Sequence, residues 1–158
     1  MSLRQQSLTA AAIAIATAAA GGALTPLDDW YYGLQQPWFT PPDWAFGPAW
    51  TLIFTLTATA GVLCWRAARE SRLQRWVLGV FLANAALNVF WSFLFFWSQR
   101  PDWALTEVGV LWSSVALLVF VGSRLDWRAG ALLVPYLAWV SLASLINQQV
   151  VALNAPFH

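Results

Sequence analysis

Three sets of side chains in this sequence have the types and spacing to recognise a flat, apolar molecule. Trp50 and Phe54 stand four residues apart, and Asn84, Asn88, Trp91 and Phe95 follow at intervals of four, three and four. Tyr136, Trp139, Ala143 and Asn147 repeat the pattern late in the chain. Residues three and four apart share one face of a helix. Each set therefore presents aromatic faces, two of them beside an amide and one also beside a small residue. Rings hold flat partners by stacking and edge contact, and amides both donate and accept hydrogen bonds. A small residue between them leaves room. The same features also serve packing between helices, where amides bond across and small residues permit close approach. From spacing alone both uses stand open.

Other chemistry is sparse. The one His is His158, the last residue, so no intramembrane His site for a metal is expected. The one Cys, Cys64, lies in an apolar run and reads as a small packing residue. No phosphate-binding Gly-rich loop occurs, which argues against a nucleotide-driven pump. Glu107 is the acidic residue set inside an apolar stretch, about one turn from its start. It reads as a group solvated near the membrane interface, or else as a partner for an Arg or a ligand amine. A proton-coupled transporter would need more buried charge than this.

The elements that must position these residues follow from composition. The chain has 158 residues, of which 59% are hydrophobic and 9% charged, whereas a soluble domain is about one quarter charged. So few charges cannot cover a water-facing surface. Five apolar stretches, 7–24, 44–65, 76–97, 103–122 and 130–153, are near the roughly 20 residues that cross a bilayer as a helix. Lipid leaves backbone amides no partner, so continuous apolar runs without alternation must be helical. The expected fold is an all-α membrane bundle of five transmembrane helices, forming one domain over residues 1–158. The first stretch begins after Arg4 and is rich in Ala, which suggests a helix packed closely on protein. A cleaved signal peptide is the alternative, but the apolar run through Gly21, Gly22 and Leu24 is long for one.

Arg placement orients the bundle. Arg4, then Arg66, Arg69, Arg72 and Arg75, then Arg124 and Arg128 fall on one side, and Arg100 alone on the other. The positive-inside rule puts the N-terminus in the cytoplasm and the C-terminus outside, as in a bacterial cell membrane. The first loop, with Asp28, Asp29 and Asp43, then lies outside. Of the 12 Trp residues, most sit at span ends, where an aromatic belt is expected. Trp50, Trp91, Trp112 and Trp139 lie deeper and call for core packing or a pocket. Thr40-Pro41-Pro42-Asp43 reads as a helix start with Thr40 as cap. Pro48 removes a hydrogen bond inside the second span and should bend it. Gly79 and Ala83, a small pair four apart on the third span, suit close approach of two backbones.

Taken in order, Thr25-Pro26, Trp30-Tyr31, Pro37-Trp38, Pro41-Pro42-Asp43-Trp44 and Phe46-Gly47-Pro48-Ala49-Trp50-Thr51 form a distinctive series. Asn88, Trp91-Ser92, Phe95-Phe96, Ala129-Gly130, Pro135-Tyr136-Leu137-Ala138-Trp139, Asn147 and Leu153-Asn154 continue it. Over nearly the whole chain this resembles the TspO / translocator protein family of tryptophan-rich sensory proteins. The resemblance implies a five-helix bundle that binds a porphyrin such as protoporphyrin IX between its helices, with no obligatory cofactor. It places the ligand against Trp50, Phe54, Asn88, Trp91, Tyr136, Trp139, Ala143 and Asn147, with Tyr31 and Trp38 in a covering loop. It also implies a homodimer through the third span, at Gly79 and Ala83. The expected partners are thus a porphyrin or another flat hydrophobic ligand, membrane lipid and a second copy; nucleic acid is not among them. One departure concerns sterols: no Lys or Arg follows Tyr136, so the motif proposed for cholesterol is missing.

Three functions fit such a protein. It could sense, sequester or transport porphyrins and so regulate tetrapyrrole metabolism. It could instead degrade porphyrin in light, with Trp50 and Trp139 as the oxidisable pair. Or it could be a lipid-binding or sterol-binding scaffold.

Overall fold

The computed structural model describes residues 2–157; His158 lies outside them. Its helices are α1 (Leu3–Ala23), α2 (Asp29–Gly33), α3 (Asp43–Ala67), α4 (Ser71–Ser92), α5 (Pro101–Leu125) and α6 (Trp127–Asn154). A π-helical turn, Phe93–Trp97, continues α4. Five helices are long and apolar enough to cross a membrane: α1, α3, α4 with its π turn, α5 and α6. The fold is the all-α five-helix membrane bundle that the apolar runs require.

The helices overrun the expected spans because their polar ends remain helical. Ser2 starts α1 with a capping box: its hydroxyl accepts from the Gln5 amide at 3.3 Å, and the Gln5 side chain accepts from the Ser2 amide at 2.8 Å. Thr40 does not cap α3. That helix starts at Asp43, after two prolines that supply no amide donor, and Pro42 occupies the cap position without a side-chain bond. Asp126 alone links α5 to α6. Its amide closes α5 on the Gly122 carbonyl at 2.8 Å, and its carboxylate accepts from the Arg128 amide at 2.9 Å.

Packing is uneven. Helices α5 and α6 meet closely where Gly122 and Gly130 cross. A Cβ added at Gly130 would sit 2.8 Å from the Ser123 amide nitrogen and 2.9 Å from its Cα. Small residues let membrane helices approach in this way. Buried Leu118, Ala129 and Leu133 fill the core beside the crossing with Cys64 of α3 and Val77 of α4. Cys64 is thus the packing residue it was expected to be. By contrast, α1 buries Thr17 alone. Its backbone nevertheless lies close to α3 and α4, as an Ala-rich helix allows. On the face toward the cavity described next, its short side chains fill little of the space.

Trp44, Trp76, Trp97, Trp103 and Trp127 are exposed at helix ends, as a belt requires. Gly79 and Ala83 are exposed on α4, with nothing within 4 Å of a Cβ added at Gly79. They therefore do not pack within the bundle. Glu107 is not at a solvated interface: it is 7% exposed inside the bundle, and neither carboxylate oxygen has a hydrogen-bond partner.

Candidate functional site

A cavity of about 930 Å³ lies between α1, α3, α4 and α6, beneath the segment that joins α1 to α3. Two aromatic walls face it. On the α3 and α6 side, Trp50 stacks on Phe54 with ring centroids 5.3 Å apart and meets Trp139 edge to face at 6.2 Å. Phe46 extends this wall, 5.7 Å from Trp139. On the α4 side, Trp91 stacks on Phe95 at 5.1 Å, and Phe96 packs edge-on to Trp91 at 5.9 Å. The π turn carries part of this second wall: its adjacent residues Phe95 and Phe96 both border the cavity. Ala143 of α6 and the small residues Ala14, Ala18 and Gly21 of α1 leave the space between the walls open.

Helix α2 and the loop after it cover one end. The Asp28 carboxylate caps α2 by accepting from the Tyr31 amide at 3.1 Å. Asn154 fixes the loop to the end of α6: its side-chain oxygen accepts from the Gln35 amide at 2.8 Å, and its amide donates to the Gln35 carbonyl at 3.0 Å. Tyr31 is buried against Phe96, with centroids 5.5 Å apart. The Tyr32 hydroxyl donates to Asp43 at 3.1 Å. Burial, and then the nearby Asp43 charge, raise the Tyr31 phenol above its ordinary range. The bond to Asp43 is the main cause of the same shift in Tyr32. Both phenols therefore stay protonated donors at neutral pH.

Of the residues read from sequence, Tyr31, Trp50, Phe54, Asn88, Trp91, Trp139, Ala143 and Asn147 come together around this cavity. Two do not. Trp38 is 95% exposed on the outer side of the loop, edge-on to Phe39. Tyr136 is buried behind Trp50, with centroids 6.2 Å apart, and borders a separate, smaller cavity. Trp112 is on neither wall; its indole donates to Ser141 at 2.8 Å.

The two amides are partly committed to the protein. Asn88 donates to the Tyr136 hydroxyl at 3.1 Å. Asn147, fully buried, donates to the Pro101 carbonyl at 2.8 Å and accepts from the Trp91 indole at 3.3 Å. Asn147 thereby holds the ring face of Trp91 toward the cavity and ties α6 to the start of α5. Spacing alone did not single out the α1 wall, Phe46, or the loop residues Gln36 and Thr40 as site residues. Ala10, Ala14 and Ala18, four apart, carried the α1 signal; Phe46, four before Trp50, carried the second.

The model of the TspO/MBR family matches residues 9–153. The chain belongs to that family. It is 35% identical over 147 residues to the tryptophan-rich protein TspO of Archaeoglobus fulgidus, covering 92% of this chain and 93% of that protein. It is 37% identical over 135 residues to a tryptophan-rich sensory protein of Cereibacter sphaeroides, covering 84% and 82%. The translocator protein of Homo sapiens is 30% identical over 119 residues, covering 75% and 70%. With its five apolar helices, this TspO/MBR member is an integral, multi-pass membrane protein.

Proposed function

We propose that the cavity binds a tetrapyrrole, and that the chain senses, sequesters or moves porphyrins and so influences their metabolism. The observation that carries this reading is the pair of facing aromatic walls around about 930 Å³ of space. That volume falls in the range of small-molecule sites, and the walls offer ring faces to a flat, largely apolar macrocycle. Protoporphyrin IX is the representative ligand. The test is quenching of Trp fluorescence during porphyrin titration in detergent. Trp50→Ala and Trp139→Ala should each weaken binding by at least tenfold, the effect of about 1.4 kcal/mol. Ala143→Phe should block binding by filling the gap. Binding like the parent in all three variants would move the site elsewhere.

Light-dependent porphyrin degradation is a second reading. It is supported by the edge-to-face contact of Trp50 and Trp139 at 6.2 Å, which pairs two oxidisable rings on the wall. Illumination of the porphyrin-loaded protein tests it: a product absorbing at a new wavelength that requires both indoles favours the enzyme.

The same reading includes a homodimer through α4. Gly79 and Ala83 present a small, uncovered strip there. Gly79→Leu should turn dimer into monomer in mild detergent, and an unchanged dimer would place the interface on another face. The Arg distribution supports a cytoplasmic N-terminus and an outer-facing loop over the cavity. An active cytoplasmic reporter fused to the C-terminus would overturn that orientation.

A further inference from the structure

The cavity does not end at its aromatic walls. It continues between α1 and α3 as a groove that reaches Leu3 and Ser7 on one helix and Leu63 and Arg66 on the other. Arg66 lies sixteen residues past Trp50, about 24 Å along the axis at 1.5 Å per residue. The hydrocarbon core of a bilayer is about 30 Å thick. The rings and Arg66 therefore belong to opposite leaflets.

The lining changes along the way. Past Phe54 on α3, among the described residues, no ring borders the groove; Ala11 and Ala14 of α1 face Ala58 and Val62 there, with Thr55 and Thr59 alongside. The two Thr hydroxyls donate to carbonyls one turn back, at 2.7 and 2.8 Å, so their protons are spent within the helix. Such a surface suits a flexible hydrocarbon chain, which needs close contact but neither stacking nor hydrogen bonds. Ala11, Ile15, Thr55 and Thr59 border the groove and are exposed, so it opens sideways to lipid.

The far end is basic. Arg4, Arg66, Arg69, Arg72 and Arg75 are exposed there, with Glu70 as the one acid among them. The Gln74 side-chain amide donates to the Trp65 carbonyl at 3.2 Å and holds the start of α4, with Arg72 and Arg75, against the end of α3. Among the described residues, ion pairs form between Arg100 and Asp102 and between Arg128 and Asp126, and none engages these five Arg residues. A guanidinium matches phosphate oxygens with two parallel donors.

We propose that this half of the groove binds one anionic phospholipid from the leaflet on the Arg side. An acyl chain lies along Ala11, Ala14, Ala58 and Val62, and Arg66 takes the phosphate at the mouth of the groove. Arg4, Arg69, Arg72 and Arg75 add the positive field that favours an anionic headgroup over a zwitterionic one. The site is separate from the aromatic walls, so a phospholipid and a porphyrin bind together.

Native mass spectrometry of the full chain in mild detergent tests this, with phosphatidylglycerol and phosphatidylcholine of the same acyl chains as probes. The parent should retain one phosphatidylglycerol and bind it at least about tenfold more tightly than phosphatidylcholine. Arg66→Gln should weaken phosphatidylglycerol binding about fivefold, the effect of one Arg near an anionic surface. Ala11→Phe keeps every charge but fills the groove, and should weaken both lipids. Arg124→Gln removes the same charge on the same side of the membrane but off the groove wall, and should bind like the parent. Added protoporphyrin IX should leave the lipid in place.

Equal retention of the two lipids by the parent overturns the proposal, as does an Arg66→Gln or Ala11→Phe variant that binds phosphatidylglycerol like the parent. An equal loss in Arg124→Gln would trace the preference to surface charge at large and overturns it too. Displacement by protoporphyrin IX would give the groove to the porphyrin instead.

Discussion

Helices α5 and α6 form one kind of membrane structure, and α1 with α3 another. In the first pair, Gly122 and Gly130 bring backbones into contact, and α5 buries eight residues from Pro101 to Gly122. In the second, α1 lies close to α3 yet buries Thr17 alone, and the cavity opens beside their contact. Both pairs are rich in small residues, yet the outcomes differ. Gly130 against Gly122 leaves no space between the backbones, whereas the small residues of α1 that face the rings of Trp50 and Phe54 leave room for a ligand. Close contact thus gives this molecule a rigid half, and the same residue class gives it a half able to take a ligand.

Substitutions can break or sharpen this contrast, and the largest effect is expected at Gly130. Gly130→Val places methyl groups where even a Cβ meets the Ser123 backbone at 2.8 and 2.9 Å. Overpacking of this kind costs about 3 kcal/mol or more when backbone must move. The variant should lose its folded elution peak, or melt far below the parent, in detergent. A parent-like melt would show that the tight half can yield.

An intermediate effect is expected at Asn147, where the two halves meet. Asn147→Leu leaves the Pro101 carbonyl and the Trp91 indole buried without their partners, at a cost of about 1–3 kcal/mol. Both the melting temperature and porphyrin affinity should fall, because Trp91 loses its tether. Loss of stability with unchanged affinity would mean that the α4 wall does not depend on α6.

The smallest effect is expected on α1. Gly22→Ala adds a methyl group with nothing within 4 Å. Helix propensity then favours the variant by up to about 1 kcal/mol. The melt should be unchanged or slightly raised; a clear drop would mean that α1 is packed more tightly than its exposure shows.

The same contrast explains what could be read in the sequence. Hydropathy identified all five spans, because lipid permits little besides helices. The stripes on α3, α4 and α6 placed the cavity, since aromatic and amide side chains at helical spacing mark a face. Helix α1 gave only a faint mark: Ala10, Ala14 and Ala18 share one face, but Ala occupies the other faces too, so the cavity side did not stand out. Its close approach to α3 and α4 is what its Ala content suggested. Glu107 was misplaced because sequence gives its depth along a helix but not which way that helix is turned. The π turn was invisible, as Phe93-Leu94-Phe95-Phe96-Trp97 is apolar at every position and carries no period. The loop defied periodicity as well. Trp38 stood out as a conspicuous aromatic yet faces outward, while Gln36 drew no notice and Thr40 was read as a helix cap rather than as part of the cavity wall.

The π turn also constrains which changes in chain length the protein can absorb. Removing one residue from Phe93–Trp97 would restore an ordinary α-helix with better backbone hydrogen bonding. Four residues of α-helix turn the chain about as far as five of a π-helix, so the segments on either side would keep nearly their present orientation and Pro101 its place beside Asn147. What the deletion would cost is an aromatic side chain at Phe95 or Phe96, and with it part of the α4 wall. A gap in an alignment here would thus mark a helix made regular at the expense of one ring on the site.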